Sequence, residues 1–94
     1  MEKTLFIETC NKALECFGAR KQLAVVKEEL AELIVAISHY ERGRDVMKMD
    51  LSEETADVLI CIQQLIIAAD IEAQVDIQME RKIDRLNQRI SSHK

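Results

Sequence analysis

A chain of 94 residues is enough for one domain, and a chain this short buries only about two-thirds of the surface it exposes when unfolded. With no proline, two glycines, one tyrosine and two phenylalanines, in a sequence dominated by Leu, Ile, Ala, Glu and Lys, the composition excludes a sheet sandwich or barrel and favours long helices. The net charge of −4 gives no electrostatic reason to expect a nucleic-acid partner.

The first helix is expected from about Glu2 to Phe17. Phe6, Cys10, Ala13 and Phe17 recur at helical spacing, and Gly18 follows as a C-terminal cap. The opening Met1-Glu2-Lys3-Thr4 is interrupted by charge and does not read as a signal peptide. The second helix is expected from about Lys21 to Arg42. Its apolar stripe is Leu23, Val26, Leu30, Leu33, Ile34 and Ile37, and Gly43 ends it.

A short polar connection, Arg44 to Met49, leads to the third helix. Asp50 with Glu53 fits a capping box, and Ser52 fits an N-cap on its own. This helix should continue to about Ala69. Its stretch Val58–Ala69 contains Gln63 and Gln64 and falls short of the roughly 20 apolar residues of a membrane span. Val58, Leu59, Ile60, Cys61, Ile62, Leu65, Ile66 and Ile67 nevertheless surround its axis. A helix that is apolar all round must be buried all round, which three companions from the same short chain achieve only in part. A homo-oligomer built around this helix, a dimer or a tetramer, is therefore expected. The fourth helix should run from about Ile71 to Ile90, with Val75, Met79, Ile83, Leu86 and Ile90 on one face, leaving Ser91–Lys94 as a frayed tail. The whole chain, 1–94, reads as a single all-α, four-helix domain. Cys10, Cys16 and Cys61 have no CxxC spacing and read as buried free thiols in a reducing cytoplasm rather than a zinc site.

The acids carry the chemistry. The second helix holds Glu28-Glu29-Leu30-Ala31-Glu32, and the third begins with Glu53-Glu54-Thr55-Ala56-Asp57. Each contains a same-face pair at i, i+3: Glu29 with Glu32, and Glu54 with Asp57. With Leu30 taken as the centre of the second helix's stripe, Glu29 lies about 100° to one side and Glu32 about 60° further round. Glu54 and Asp57 share a largely apolar side with Val58 and Cys61. Were the pairs to converge, two charges about 5 Å apart would repel by roughly 3 kcal/mol at an effective dielectric of 20. Protons or a hard divalent cation with oxygen ligands would relieve that, and Mg²⁺ bound by carboxylates together with phosphates is the usual arrangement. The same acids also fit solvated helix faces with lysine partners.

The arrangement Glu29-Leu30-Ala31-Glu32, then 21 residues, then Glu54-Thr55-Ala56-Asp57 resembles the MazG-like family of all-alpha nucleotide pyrophosphohydrolases. Dimeric dUTPases and the phosphoribosyl-ATP pyrophosphohydrolase are among its relatives. Gln22 ahead of the first motif and the run Glu54 to Ile60 are similar to family sequences too, and the resemblance spans roughly Gly18 to Ile90. It implies cleavage of a nucleoside triphosphate between its α and β phosphates, giving a monophosphate and pyrophosphate. Glu29, Glu32, Glu54 and Asp57 would hold Mg²⁺ or Mn²⁺. Glu28 or Glu53, beside those ligands, would orient or deprotonate the water. Basic residues of the late helix, Lys82 and Arg85 first among Arg81, Lys82, Arg85 and Arg89, would meet the phosphates, with Gln22 as a further substrate contact. Glu80 and Asp84 alternate with those cations, so surface ion pairs explain the run as well. His39, near the end of the second helix, suits the helix C-terminus, and no ExxH occurs to suggest a ferritin-like di-iron site. A catalytically silent helical interaction module, and a carboxylate bundle acting on another substrate, are the competing readings.

Overall fold

The computed structural model describes residues 1–43 and 48–93, with the side chains of all but Lys48 and Met49. Four helices follow in order: α1 Lys3–Phe17, α2 Ala19–Glu41, α3 Lys48–Ala69 and α4 Glu72–Ser92. Among the described residues there is no strand, so the all-α, four-helix expectation holds.

The helix ends follow from local chemistry. Gly18, at φ 89°, ends α1 and donates its N–H to the Leu14 carbonyl at 2.9 Å, a backbone conformation open to glycine at no steric cost. Gly43, at φ 75°, does the same after α2, donating to Tyr40 O at 3.0 Å. Two boundaries differ from the sequence expectation. Helix α3 is already formed at Lys48, so Asp50 sits in its first turn, where a carboxylate suits the helix dipole, rather than serving as a cap. Most of the polar connection expected over Arg44–Met49 lies outside the described residues. At the other end, α4 runs to Ser92, and the tail placed at Ser91 begins instead at His93.

The core is an antiparallel α2–α3 hairpin with α1 laid across part of it. One register relates the two helices: Gln22 meets Gln64, and Glu29 meets Asp57. Gln22 Nε2 donates to Gln64 Oε1 at 2.7 Å, satisfying a glutamine that is itself buried. Cys10 of α1 is buried near the Ile60 carbonyl, and Val26, Ala36, Val58 and Cys61 complete the buried apolar set. Cys16, expected inside, is exposed, and all three thiols are free.

The centre of α2's buried face is not where the sequence put it. Leu30 is 38% exposed and Ile34 is 66% exposed. The inward face runs instead through Gln22, Val26, Glu29, Leu33 and Ala36, all buried or half-buried. An acid therefore occupies the middle of the core-facing strip, and the apolar residues beside it form a second strip facing outward. Helix α3 is less enclosed than an all-round apolar helix requires, since Leu59 and Ile60 are exposed. Helix α4 contacts only α3 and buries no residue. The radius of gyration, 16.2 Å, exceeds the roughly 12 Å of a compact chain of this length. Among the described residues, no helix is long and apolar enough to cross a membrane.

Candidate metal centre

The hairpin register decides which acids meet. Because α3 starts at Lys48, Glu54 is nearly two turns into the helix, level with the middle of α2. Glu29, Glu54 and Asp57 each bring a carboxylate oxygen to within 4.8 Å of the others. Glu32 stands one turn along α2 from Glu29, and its charge acts on both Glu29 and Glu54. Glu29 and Glu54 are half-buried, whereas Glu32 and Asp57 open to solvent.

The electrostatics follow from this crowding. Burial, then the charges of Glu32, Asp57 and Glu54, push the Glu29 carboxyl up to about 7. Glu54 is also raised, by burial first and then by Glu32 and Asp57. The Cys61 thiol, one turn beyond Asp57, is raised by burial and by the Glu29 and Asp57 carboxylates. Among the described residues, no cation contributes to the shifts of Glu29, Glu54 or Cys61. Glu29 Oε2 and Glu54 Oε2 are buried with no hydrogen-bond partner. Buried, unpartnered carboxylate oxygens converging from two helices fit a hard divalent cation.

A cleft of about 270 Å³ opens beside the cluster, lined by Glu32, Val35, Ala36, His39, Asp50 and Glu54. His39 and Asp50 are the residues that sequence reasoning assigned to other duties. Only part of the signal for them was present in the sequence. Glu32, Ala36 and His39 follow one another at i, i+4, i+7 along α2, and the hairpin register sets Ala36 beside Asp50. The other expected site residues lie elsewhere. Glu28 and Glu53 are exposed, each one residue before an acid of the cluster. Gln22 is held by Gln64, two turns along α2 from Glu29. Lys82 and Arg85 stand exposed on α4 and do not line the cleft.

Set against known families, residues 17–93 match the one described as the MazG nucleotide pyrophosphohydrolase domain. Comparison with curated proteins and with solved structures gave no match.

Proposed function

The chain belongs to the MazG nucleotide pyrophosphohydrolase domain family, and from that membership we propose that it is a Mg²⁺-dependent nucleoside triphosphate pyrophosphohydrolase, cutting between the α and β phosphates to release a nucleoside monophosphate and pyrophosphate. The observation that supports this most directly is the convergence of Glu29, Glu54 and Asp57, two of them with unpartnered buried oxygens. Glu32 completes the proposed ligand set. Bound there, Mg²⁺ or Mn²⁺ would polarise phosphoryl oxygens and lower the pKa of a water molecule.

The chain's own residues divide the remaining work. Glu29 and Glu54 hold negative charge in a half-buried position where only a cation or a proton relieves it. Asp57 and Glu32, at the solvent edge, leave an approach to the cluster open. Glu28 and Glu53 are the candidate bases, exposed beside the ligands. The cleft that continues to His39 and Asp50 provides room next to the cluster. Gln22, Lys82 and Arg85 are proposed as substrate contacts on the strength of the resemblance. We place the protein in the cytoplasm as a homo-oligomer, dimer or tetramer.

Release of pyrophosphate from a panel of nucleoside triphosphates, with and without Mg²⁺, tests the reading. Glu32→Gln and Asp57→Asn should abolish turnover while helicity is kept. A folded protein that releases no pyrophosphate from any nucleotide in the presence of Mg²⁺ would overturn the proposal and leave the silent interaction module. Loss of folding in both variants would make the acids structural.

A further inference from the structure

The acid cluster is closed on one side and open on the other. Toward the start of α2 and the end of α3, Val26, Cys61 and Gln64 are buried, and the hairpin is packed next to Glu29 and Asp57. In the opposite direction the cleft begins at Glu32 and Glu54 and continues past Val35, Ala36 and Asp50 to His39. These residues come in steps. At 1.5 Å per residue, Asp50 lies one turn of α3, roughly 6 Å, from Glu54, and His39 lies two turns of α2, roughly 10 Å, from Glu32. Val35 and Ala36 stand between, at the level of Asp50. The volume of about 270 Å³ falls below the roughly 300–1,000 Å³ of a site that encloses a whole ligand, so the cleft takes part of a substrate.

Charge decides which part. Three carboxylates, those of Glu32, Glu54 and Asp50, line the cleft against one imidazole, that of His39. Glu32 and Glu54 are proposed metal ligands. Asp50, a turn further on, repels the β and γ phosphates of a triphosphate. The neutral end of a nucleotide, its sugar and base, meets no such repulsion. The order of groups agrees as well. Along a nucleotide the phosphate is followed by the sugar and then by the base. Along the cleft the metal acids are followed by Asp50 and then by His39. A carboxylate therefore stands at the level of the sugar, across from the apolar Val35 and Ala36. An ionised carboxylate only accepts hydrogen bonds, and the donors of a sugar are its hydroxyls. Ribose offers a 2′ hydroxyl that deoxyribose lacks, a group that acidic side chains hold well. The His39 ring, at the level of the base, suits stacking whichever base is bound.

We propose that Asp50 selects the sugar. The site takes ribonucleoside triphosphates in preference to deoxyribonucleoside triphosphates, with Asp50 accepting hydrogen bonds from the 2′ and 3′ hydroxyls and His39 against the base. This rests on the reading of Glu29, Glu32, Glu54 and Asp57 as holders of the phosphates' metal. The size of the preference follows from exposure. A deeply buried acceptor left without its hydroxyl rejects the deoxy form by several orders of magnitude. Asp50 is exposed, so water replaces the missing hydroxyl. What is lost is then one charge-assisted hydrogen bond, roughly 10- to 100-fold in affinity.

The test is binding, which reads apart from turnover. Dissociation constants are measured by calorimetry, in the presence of Mg²⁺, for ribonucleoside triphosphates with a methylene group in place of the α,β-bridging oxygen and for their 2′-deoxy counterparts, over the common bases. For the base bound best, the ribo form should bind at least about tenfold more tightly. Asp50→Ala should bring the two forms to within about threefold, by weakening the ribo form and leaving the deoxy form where it was. Asp50→Asn, which keeps one acceptor oxygen and the shape of the side chain, should retain part of the preference. Asp50 is exposed, so both variants spare the packing of the hairpin. His39→Ala should weaken both forms by the same factor and keep their ratio. Equal binding of the two forms by the unaltered chain overturns the proposal, as does tighter binding of the deoxy form. A preference that survives Asp50→Ala overturns it too, and so does a folded chain that binds neither form. Failure of the hydrolase reading is a different result. A chain that binds ribonucleotides through Asp50 and releases no pyrophosphate from natural triphosphates keeps this inference and loses that reading. One that releases pyrophosphate from ribo and deoxy triphosphates with equal kcat/KM keeps that reading and loses this inference.

Discussion

The α2–α3 hairpin and α4 are both long amphipathic helical pieces, and they end in opposite situations. The hairpin holds the buried residues Val26, Ala36, Val58, Cys61 and Gln64, and α4 buries none. Yet the pattern on α4 is the cleaner of the two. The inward strip of α2 is broken by Gln22 and Glu29, and that of α3 by Glu54 and Gln64. Tidy amphipathicity here goes with a helix that buries no residue. The interrupted strip marks a core whose polar members are held in fixed positions by the packing around them. Gln22 and Gln64 satisfy each other. Glu29 and Glu54 do not, and that remaining need is what singles them out.

The largest expected effect breaks the hairpin's polar centre. Glu29→Gln removes a proposed ligand, and kcat/KM for pyrophosphate release should fall by at least about a hundredfold, since even groups behind the ligands of a metal site contribute 10–100-fold. The matching change on α4, Glu80→Gln, should leave turnover within about twofold, because an exposed acid outside the cleft has little leverage. Equal losses from both would show that the acids of the hairpin are not special.

Next in size is a difference in stability. Gln64→Ala leaves Gln22 without its partner and opens a void in the core. Urea unfolding at a fixed protein concentration should show a loss of about 2 kcal/mol. Gln88→Ala, on exposed α4, should stay within about 0.5 kcal/mol. A Gln64→Ala protein as stable as the parent would mean that the 2.7 Å contact contributes nothing net.

The acids also set a pH dependence that α4, with its exposed charges, should not share. Folding raises the Glu29 carboxyl from 4.5 to about 7, so between those values the folded chain holds a proton that the unfolded chain has released. Its contribution to stability is complete below the unfolded value and is lost as pH rises through 7. Glu54 is raised in the same sense. Without metal, the melting temperature should therefore be lower at pH 8 than at pH 5. After solvent screening, an effect of about 1 kcal/mol is expected from Glu29, or roughly 4–8 °C. Glu29→Gln should flatten the profile, and added Mg²⁺ should protect most at high pH, where the ligands are free of protons. A metal-free melting temperature that climbs from pH 5 to pH 8 would contradict the crowding.

How much of this was legible in the sequence depended on whether a residue's partner lay within its own helix. The same-face pairs Glu29/Glu32 and Glu54/Asp57 needed only helical spacing. The position of Glu29 did not follow from spacing. Leu30, Ile34 and Ile37 imitate a core strip, and only the tertiary register with α3 shows that they face outward while Glu29 faces in. His39 and Asp50 escaped notice because each has an adequate local explanation, one at a helix end and one near a helix start. Their shared cleft exists only once α2 and α3 are aligned. For α4, periodicity correctly marked the strip from Val75 to Ile90, but periodicity carries no record of what covers it.

The smallest expected effect lies at the joint between the two regions. Asp70 has φ 54° and ends α3, with its N–H directed to the Ile67 carbonyl at 3.1 Å and that of Ile71 to Ile66 at 3.1 Å. This is the closure that glycine favours. The equivalent place after α2 is Gly43, at φ 75°. Aspartate tolerates the left-handed region better than most side chains, at some steric cost. Asp70→Gly removes that cost but gives the unfolded chain more freedom, which offsets part of the gain. A net stabilisation of about 0.5 kcal/mol is expected, seen as a rise of roughly 2–4 °C in the melting temperature. Pyrophosphate release should be unchanged, because the joint is several turns of α3 away from Asp57. A loss of stability instead would show that the Asp70 side chain helps set the direction in which α4 leaves the hairpin. In that case Asp70→Asn, which keeps the side chain's shape, should restore the stability.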